Sequence, residues 1–211
     1  KVDNKQYNSL FLNQPYYMDI SLQKGKVFNK QLKHELALKE LHIVKKIAKI
    51  KVENMHSRVI LATIYEEEAE ILICLGETLA FEDYINRAID IRTEEIGKYN
   101  IPNAISYANL YKYMRGLNDS EDSLKYHYKA TEIFSRFPRD HPNAWIIHLS
   151  NALYFHEKND IDEFISEMEY CLRVTSKRYS FNHISTFKIK FQYGKILASL
   201  QQHDKALKVL L

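Results

Sequence analysis

Four acidic side chains crowd one short stretch of the sequence, and they are the first candidates for chemistry. Glu66, Glu67, Glu68 and Glu70 lie almost side by side. Carboxylates are preferred ligands of hard divalent cations. However, neighbours along a helix point in different directions around its axis and do not converge on one ion. We therefore interpret this run as a solvated helix face, and we predict no metal site and no cofactor.

Other patterns that carry catalysis are missing from the chain. No nucleophile elbow, phosphate-binding glycine loop, zinc-binding HExxH pair, EF-hand or dinucleotide fingerprint occurs, and 5 scattered glycines could not build one. Cys74 and Cys171 fit no metal-ligand spacing, so we expect small apolar fillers in a reducing compartment. His127 is expected to pack in the core, and His141 to cap a helix end. We predict no catalytic residue and hence no enzyme.

The composition favours long helices joined by short loops. With 5 Gly and 4 Pro in 211 residues, the chain lacks the turn residues that a many-stranded sheet needs. The 30 basic and 27 acidic side chains leave a net charge of +3, far from the basic excess of a nucleic-acid binder, so we expect no nucleic-acid partner. No apolar run approaches the ~20 residues of a membrane span. We expect a soluble, cytoplasmic protein.

Two independent landmarks recur along the sequence at nearly the same interval. The segment Ile-Pro-Asn-Ala at 101–104 returns as His-Pro-Asn-Ala at 141–144, and a weaker copy, Phe-Asn-His-Ile, occupies 181–184. A packing residue followed seven positions later by a small residue also recurs, and seven residues are two helical turns. These pairs are Phe81/Ala88, Ser123/Ala130 and Phe164/Cys171, with Ala206 opening the next copy. The chain is therefore built from repeats of 40 to 42 residues.

Each repeat reads as a pair of helices. Apolar residues recur at spacings of three and four in both halves of every repeat. The predicted hairpins are 59–75 with 79–96, 103–115 with 120–134, 144–157 with 161–176, and 184–200 with 203 onward, and a further helix precedes them at 31–50. The connections 116–119 and 158–160 are short and polar, and each offers a residue that caps the next helix.

These features resemble the tetratricopeptide repeats, specifically the variety of about 42 residues seen in kinesin light chains. Small residues that allow close helix packing carry part of the match: Ala69, Ala152 and Gly194 in first helices, and Ala88, Ala130 and Cys171 in second helices. The connectors 96–104 and 137–144 resemble the family's Gly-x-x-His-Pro-x-x-Ala linker. The resemblance implies an all-α fold, a right-handed superhelical α-solenoid of antiparallel helix hairpins.

We divide the chain accordingly. Residues 1–30 are expected to form an N-terminal extension that is partly irregular, and residues 31–211 the repeat array. Within the array, 31–54 is a degenerate repeat or cap, followed by repeats 55–99, 101–138, 141–179 and a truncated 182–211. Because the last residues, 204–211, read as the opening turns of an amphipathic helix with no following partner, we expect the chain to be part of a longer one.

The resemblance also implies where a partner would bind. In the family the first helix of each hairpin lines a concave face, which accepts an extended peptide or a helix. Carried across, the candidates are Glu66, Glu70, Asn103, Tyr107, Asn109, Leu149, Asn151, His156, Lys188, Phe191 and Lys195. Asn109 and Asn151 stand 42 residues apart, which gives them equivalent places in adjacent hairpins. They either form an amide ladder that binds a partner's backbone or are ordinary polar helix surface. The candidates run from acidic to basic, which predicts a ligand of opposite polarity.

The predicted function is a non-catalytic scaffold that binds a peptide or neighbouring subunit on this concave face within a larger complex, of the cargo-adaptor, cytoskeletal or ciliary kind. The alternative is the helical repeat region of a larger enzyme or regulator, such as a SET-and-MYND methyltransferase or a peptide-sensing regulator. A lysine-rich tract at residues 45–51 either meets an acidic surface or is a solvated helix face.

Overall fold

The computed structural model describes residues 16–117, 120–139, 141–179 and 183–211, apart from the side chains of residues 120–122. In these ranges the chain forms ten helices and no strand. They are α1 (Tyr17–Lys30), α2 (His34–Ile50), α3 (Met55–Cys74), α4 (Phe81–Ile96), α5 (Ile101–Gly116), α6 (Ser120–Phe134), α7 (Ala144–Glu157), α8 (Ile161–Tyr179), α9 (Ile184–Ser199) and α10 (His203–Leu210).

The helices α3 and α5 each begin after a side chain that accepts a hydrogen bond from the new helix. Asn54 Oδ1 accepts from the backbone N–H of His56 at the start of α3, and Asn100 Oδ1 accepts from that of Asn103 in α5. Because the first backbone N–H groups of a helix have no partner within it, such a cap fixes where the helix begins.

Histidine side chains precede the first helices of the two later hairpins, but only one of them caps its helix. His141 Nδ1 accepts from the backbone N–H of Asn143 at 3.2 Å, and His183 Nδ1 accepts from that of Ser185 at 3.1 Å. Ser185 belongs to α9, so His183 caps that helix, whereas Asn143 lies before the first residue of α7. The prediction that the His141 side chain caps a helix end is therefore wrong. Asp160 Oδ1 similarly accepts from the backbone N–H of Glu163 in α8, as the polar connection predicts, whereas the caps expected at 118–119 lie outside the described residues.

The chain divides into two units, at the boundary between Ser106 and Tyr107 within α5. In the first unit, α1 pairs with α2 and α3 with α4. Their core joins Met18 and Leu22 of α1 to Leu41 of α2 and Ile64 of α3. Burial of these side chains is what stabilises a hairpin that is too thin to hold a core alone.

In the second unit, α7 pairs with α8 and α9 with α10. Phe164 and Cys171 of α8 pack with Leu149 of α7, Tyr193 of α9 and Ala206 of α10. The pair spacing identified in the sequence is confirmed as a buried stripe, since both members of all three pairs are almost completely buried.

The small residues of the predicted contact positions lie where helices approach closely. Ala69, Ala88, Ala130, Ala152 and Cys171 are fully buried. At Gly194 a Cβ atom would come within 2.7 Å of Cγ of Leu210, so α10 crosses α9 directly above this glycine. A close crossing of this kind requires a residue with little or no side chain.

The helix boundaries follow the predicted ones to within a few residues, with one addition near the N-terminus. The extension predicted at 1–30 contains α1, which packs on α2 and on α3 through Met18 and Leu22. Its periodicity is weak because lysine, glutamine and glycine interrupt the apolar positions, and only the tertiary contacts identify it as a core helix. The repeat boundaries themselves stay a prediction.

Candidate partner-binding surfaces

In the first unit, the predicted site residue Glu66 is the acceptor of a buried ion pair. Its carboxylate accepts two hydrogen bonds from the Arg92 guanidinium, one of them at 2.7 Å, and one from the Ser106 hydroxyl. Arg92 also donates to Ser106 at 3.1 Å and is only 2% exposed. A bidentate arginine–carboxylate contact is geometrically specific. The Glu66 side chain therefore links α3, α4 and α5 and does not extend toward a partner.

The other two candidates of this unit differ in exposure. Glu70 lies one turn further along α3 and is exposed. Asn103 is fully buried at the start of α5, where its side-chain amide donates to Oγ1 of Thr93 at 3.1 Å. Asn103 consequently offers no surface to a partner, because the capping turn that repeats at 101–104 holds it inside the helix packing.

In the second unit, the candidates at the start of the unit are half-buried. Tyr107 stacks on Tyr126 of α6 with 6.1 Å between ring centroids, and the Lys129 ammonium lies 5.1 Å from the Tyr107 centroid. Asn109 is also half-buried. An ammonium group over an aromatic face is a favourable contact, so Tyr107 is held in place by α6.

The α7 candidates face inward more than the sequence indicates. Leu149 is 7% exposed and belongs to the core of the second unit, so its predicted role in a groove is replaced by a packing role. Asn151 is half-buried, and its Oδ1 atom is shielded from solvent without a hydrogen-bond partner among the described residues. His156 is half-buried beside Phe164, and burial lowers the pKa of its imidazole, helped by the charge of Arg115. Asn109 and Asn151 share a half-buried environment, as repeat equivalents should.

The α9 candidates, in contrast, form a continuous exposed surface. Lys188, Phe191 and Lys195 are all exposed, Phe191 by 57%. Phe191 stacks on Phe187, itself 58% exposed, with centroids 6.4 Å apart and ring planes 17° from parallel. Ile184, 59% exposed, extends the same side of the helix. We call these five residues the α9 face.

Sequence reasoning missed Phe187 and Ile184. The steps of three residues from Ile184 to Phe187 and of four from Phe187 to Phe191 were visible in the sequence. An apolar stripe on one helix normally marks the side that is buried, so the spacing alone favours a core position. Only the structure shows that Ile189, Tyr193 and Leu197 supply the buried side of α9 instead.

A buried aromatic cluster surrounds His127 of the second unit. The His127 ring stacks on Tyr154 at 4.4 Å and 10°, and lies 5.2 Å from the ring of Tyr111. Its Nδ1 lies 3.4 Å from the Ser150 hydroxyl. Burial lowers the pKa of His127 to about 4. The prediction that His127 is a packing residue is confirmed, and the imidazole is neutral at physiological pH.

A second buried histidine contacts a carboxylate group. His148 Nδ1 lies 2.5 Å from a Glu167 carboxylate oxygen, and both side chains are largely shielded from solvent. The His148 ring also packs on Tyr170 at 4.1 Å. These contacts join α7 to α8. His148 therefore has a packing role between the two helices.

The two cysteines lie in different environments. Cys74 is exposed at the end of α3, whereas Cys171 is buried and its thiol contacts the Trp145 carbonyl oxygen at 3.2 Å. Burial raises the pKa of the Cys171 thiol well above its usual range. A protonated, buried thiol is a poor nucleophile.

Two properties of the described ranges bear on the kind of site that the chain carries. Across these residues no three His, Cys, Asp or Glu side chains gather as metal ligands would. Nor does the described part of the chain contain a helix of the length and apolarity needed to cross a membrane.

Comparison with known proteins gives a clear answer at the level of the fold. No protein-family model matches the chain, and no curated protein matches it. Among solved structures, the chain is similar to a putative kinesin light chain of Podosopora anserina with nearly identical TPR-like repeats. The TM-score is 0.57 at 10% identity, covering 94% of this chain and 93% of that one.

A second similar structure is BtubC (BKLC) from P. vanneervenii, with a TM-score of 0.57 at 12% identity, covering 95% of this chain and 88% of that one. At such identities the likeness concerns the fold alone. The resemblance noted in the sequence is thereby confirmed: this chain has the all-helical fold of the TPR-like repeat proteins of the kinesin light chain kind.

Proposed function

We propose that this protein is a non-catalytic scaffold that binds a protein partner through the α9 face. The TPR-like fold supports an interaction role in general, because stacked hairpins expose long helix faces to partners. The α9 face is the observation that carries the specific proposal. A contiguous exposed apolar patch often marks an interaction site, whereas single exposed apolar residues are normal.

The chemistry of the α9 face indicates the kind of partner. Ile184, Phe187 and Phe191 offer an apolar stripe, and Lys188 and Lys195 flank it with positive charge. Aromatic anchors inside a charged rim are typical of surfaces that bind a peptide or an amphipathic helix. The proposed partner is an acidic segment with apolar residues at intervals of three or four.

The surrounding repeat gives this proposal its geometry. α9 is the first helix of its hairpin, and in the family first helices line the concave face. Asn109 and Asn151, on the first helices α5 and α7, are the additional polar contacts that we propose within the second unit. Glu66, Asn103 and Leu149 are left out because each is engaged in packing.

The experiment is affinity capture with the full-length protein, followed by a binding assay on the partner identified. The variant Phe191→Ser/Lys195→Glu should weaken binding by more than about tenfold, as loss of a central anchor usually does. The matched control Leu79→Ser/Lys39→Glu changes an exposed leucine and an exposed lysine in the first unit. Equal binding by wild type and the α9 variant would exclude this surface.

A charge test addresses the polarity of the ligand. Lys188→Glu/Lys195→Glu should weaken binding, and Glu70→Lys should weaken it only if the ligand reaches the first unit. Glu66 is unsuitable for such a reversal because its carboxylate holds Arg92. The proposed setting, a cargo-adaptor, cytoskeletal or ciliary assembly, would be assessed from the identity of the captured partner. A catalytic or DNA-binding domain elsewhere in the full-length protein would favour the alternative, a helical region of an enzyme or regulator.

A further inference from the structure

A second exposed apolar cluster lies in the first unit, at the end where α2 gives way to α3. Ile50 at the end of α2 is 82% exposed, Val52 in the turn 49%, and Met55 at the start of α3 51%. A hydrogen bond from the backbone N–H of Asn54 to the carbonyl oxygen of Lys51 closes the turn. Three large apolar side chains thus protrude from one turn instead of packing beneath it.

The helix α1 adds a fourth apolar residue to this end of the unit. α1 and α2 form an antiparallel hairpin, so the first residues of α1 lie beside the last residues of α2. His56 Nε2 contacts an Asp19 carboxylate oxygen at 3.2 Å, which ties the start of α3 to the first turn of α1. Ile20, the next residue of α1, is 65% exposed.

Lysines surround this apolar cluster. Lys46 and Lys49 are exposed on the last turn and a half of α2, and Lys51 is half-buried in the turn. In the described ranges none of the three ammonium groups has a carboxylate partner, whereas Lys45, one turn back, pairs with Glu68 at 2.5 Å and lies over Tyr65. Glu53 is the one acidic side chain between residues 46 and 56.

We propose that this lysine corner, made of Ile20, Lys46, Lys49, Ile50, Lys51, Val52 and Met55, binds the surface of an anionic phospholipid membrane. Apolar side chains that enter the boundary between head groups and acyl chains, beside lysines that contact lipid phosphates, are the usual chemistry of interfacial attachment. The lysine stems are long enough to accompany the apolar residues while their charges stay at head-group level.

The shape of the corner favours a membrane over a peptide. Its apolar residues come from α1, α2, the turn and the start of α3, and among the described residues they are 49% to 82% exposed. A peptide site instead needs a groove or a strand edge that encloses the ligand. A protruding apolar corner becomes buried in a soft interface that adapts to it, and the lysines supply charge complementarity to anionic lipid. This site is separate from the α9 face.

The test is co-sedimentation of the full chain with lipid vesicles. Wild-type protein should bind vesicles in which roughly a third of the lipid is phosphatidylserine, and should not bind pure phosphatidylcholine. Binding should fall steeply as salt is added, because the lysine contribution is screened beyond a Debye length. Lys46→Glu/Lys49→Glu should weaken binding at least about twentyfold, from about fivefold for each lysine removed.

A second variant separates the apolar contribution from charge. Ile50→Ser/Val52→Ser keeps every lysine and changes two side chains that bury little in the fold, so it should fold normally while its binding drops roughly tenfold. The matched charge control is Lys188→Glu/Lys195→Glu, which alters the net charge by the same amount on the α9 face and should leave vesicle binding near the wild-type level.

Three results would overturn the proposal. Absence of wild-type binding to anionic vesicles is one. Equal loss of binding in the α9 charge control is another, since it would indicate only a general effect of net charge. The third is undiminished binding by Ile50→Ser/Val52→Ser together with displacement of the vesicles by poly-glutamate, which would identify the lysines as a site for an acidic polypeptide.

Discussion

The two units hold their helices together with different chemistry. In the first unit, permanently charged groups meet inside the packing: Arg92 joins Glu66 and Ser106, and Lys45 joins Glu68. In the second unit, besides the contact of His148 with Glu167, a neutral ring does so: His127 stacks on Tyr154 and packs at a tilt against Tyr111. The same helix hairpin can therefore be held by either kind of contact. Loss of one partner from a buried ion pair destabilises the fold, whereas a buried neutral imidazole destabilises it mainly when it becomes protonated.

The largest expected effect is on the charged centre of the first unit. Arg92→Met keeps most of the apolar stem but removes the guanidinium, so the Glu66 carboxylate is left between helices without a cation. We expect the free energy of unfolding to fall by about 3 kcal/mol, measured by urea denaturation. Arg87→Met is the matched control, because Arg87 pairs with Asp83 on an exposed helix face.

The outcome of this pair of variants sharpens the comparison. If Arg92→Met and Arg87→Met shift the urea midpoint equally, the buried pair contributes no more than a surface pair and the distinction between the units is lost. Replacing both Arg92 and Glu66 with apolar residues should recover part of the stability, since no unpaired charge then remains.

The second effect is a pH dependence located in the second unit. His127 has its pKa lowered to about 4 by burial, against an ordinary value near 6.5 for the unfolded chain. Between these values only the unfolded state binds the proton, so stability is complete above pH 6.5 and decreases as the pH falls toward 4. We expect a loss of about 1.5 kcal/mol between pH 7.5 and pH 5, after a discount for solvent screening.

The variant His127→Phe tests this assignment. It keeps an aromatic ring against Tyr154 and removes the titrating group, so unfolding curves at pH 7.5 and pH 5 should differ less than in the wild type. His42→Phe, at an exposed position of α2, should leave the wild-type pH dependence in place. An unchanged pH dependence in His127→Phe would assign the acid sensitivity to another group.

The smallest effect concerns a hydrogen bond at the edge of the aromatic cluster. Tyr111 is fully buried, and its hydroxyl donates to Glu157 at 3.1 Å. Tyr111→Phe removes this bond but leaves Glu157 paired with Arg115, so we expect a loss of about 1 kcal/mol. A loss as large as that of Arg92→Met would contradict the view that this hydroxyl makes one ordinary hydrogen bond at the edge of the cluster.

Much of the fold is visible in the sequence because helix packing repeats there. Ala88, Ala130 and Cys171 recur because a crossing helix leaves no room for a larger side chain, and Asp160 precedes its helix because the free backbone N–H groups need an acceptor. The helix α1 was harder to foresee, since Gly25 and its lysines interrupt the apolar pattern. Its place depends on Leu41, against which Gly25 packs.

The candidate site was only partly predictable. Phe191, Lys188 and Lys195 are exposed as the resemblance implies, but Glu66 and Leu149 are not available to a partner. Register decides this outcome, because a displacement of one residue turns a helical side chain by about 100°. The sequence contains Arg92 and Ser106, yet nothing in their spacing indicates that both contact Glu66.

The sequence by itself determined the helical class, the interval of the repeat and the residues that begin or cross each hairpin, because these depend on local spacing, capping and side-chain size. The tertiary structure alone decided which polar residues are consumed in packing and which apolar residues stay exposed. Those outcomes depend on contacts between different helices. Arg92 of α4 binds Glu66 of α3, and the packing of Ile189 and Tyr193 of α9 against Phe164 of α8 leaves Phe187 and Phe191 exposed.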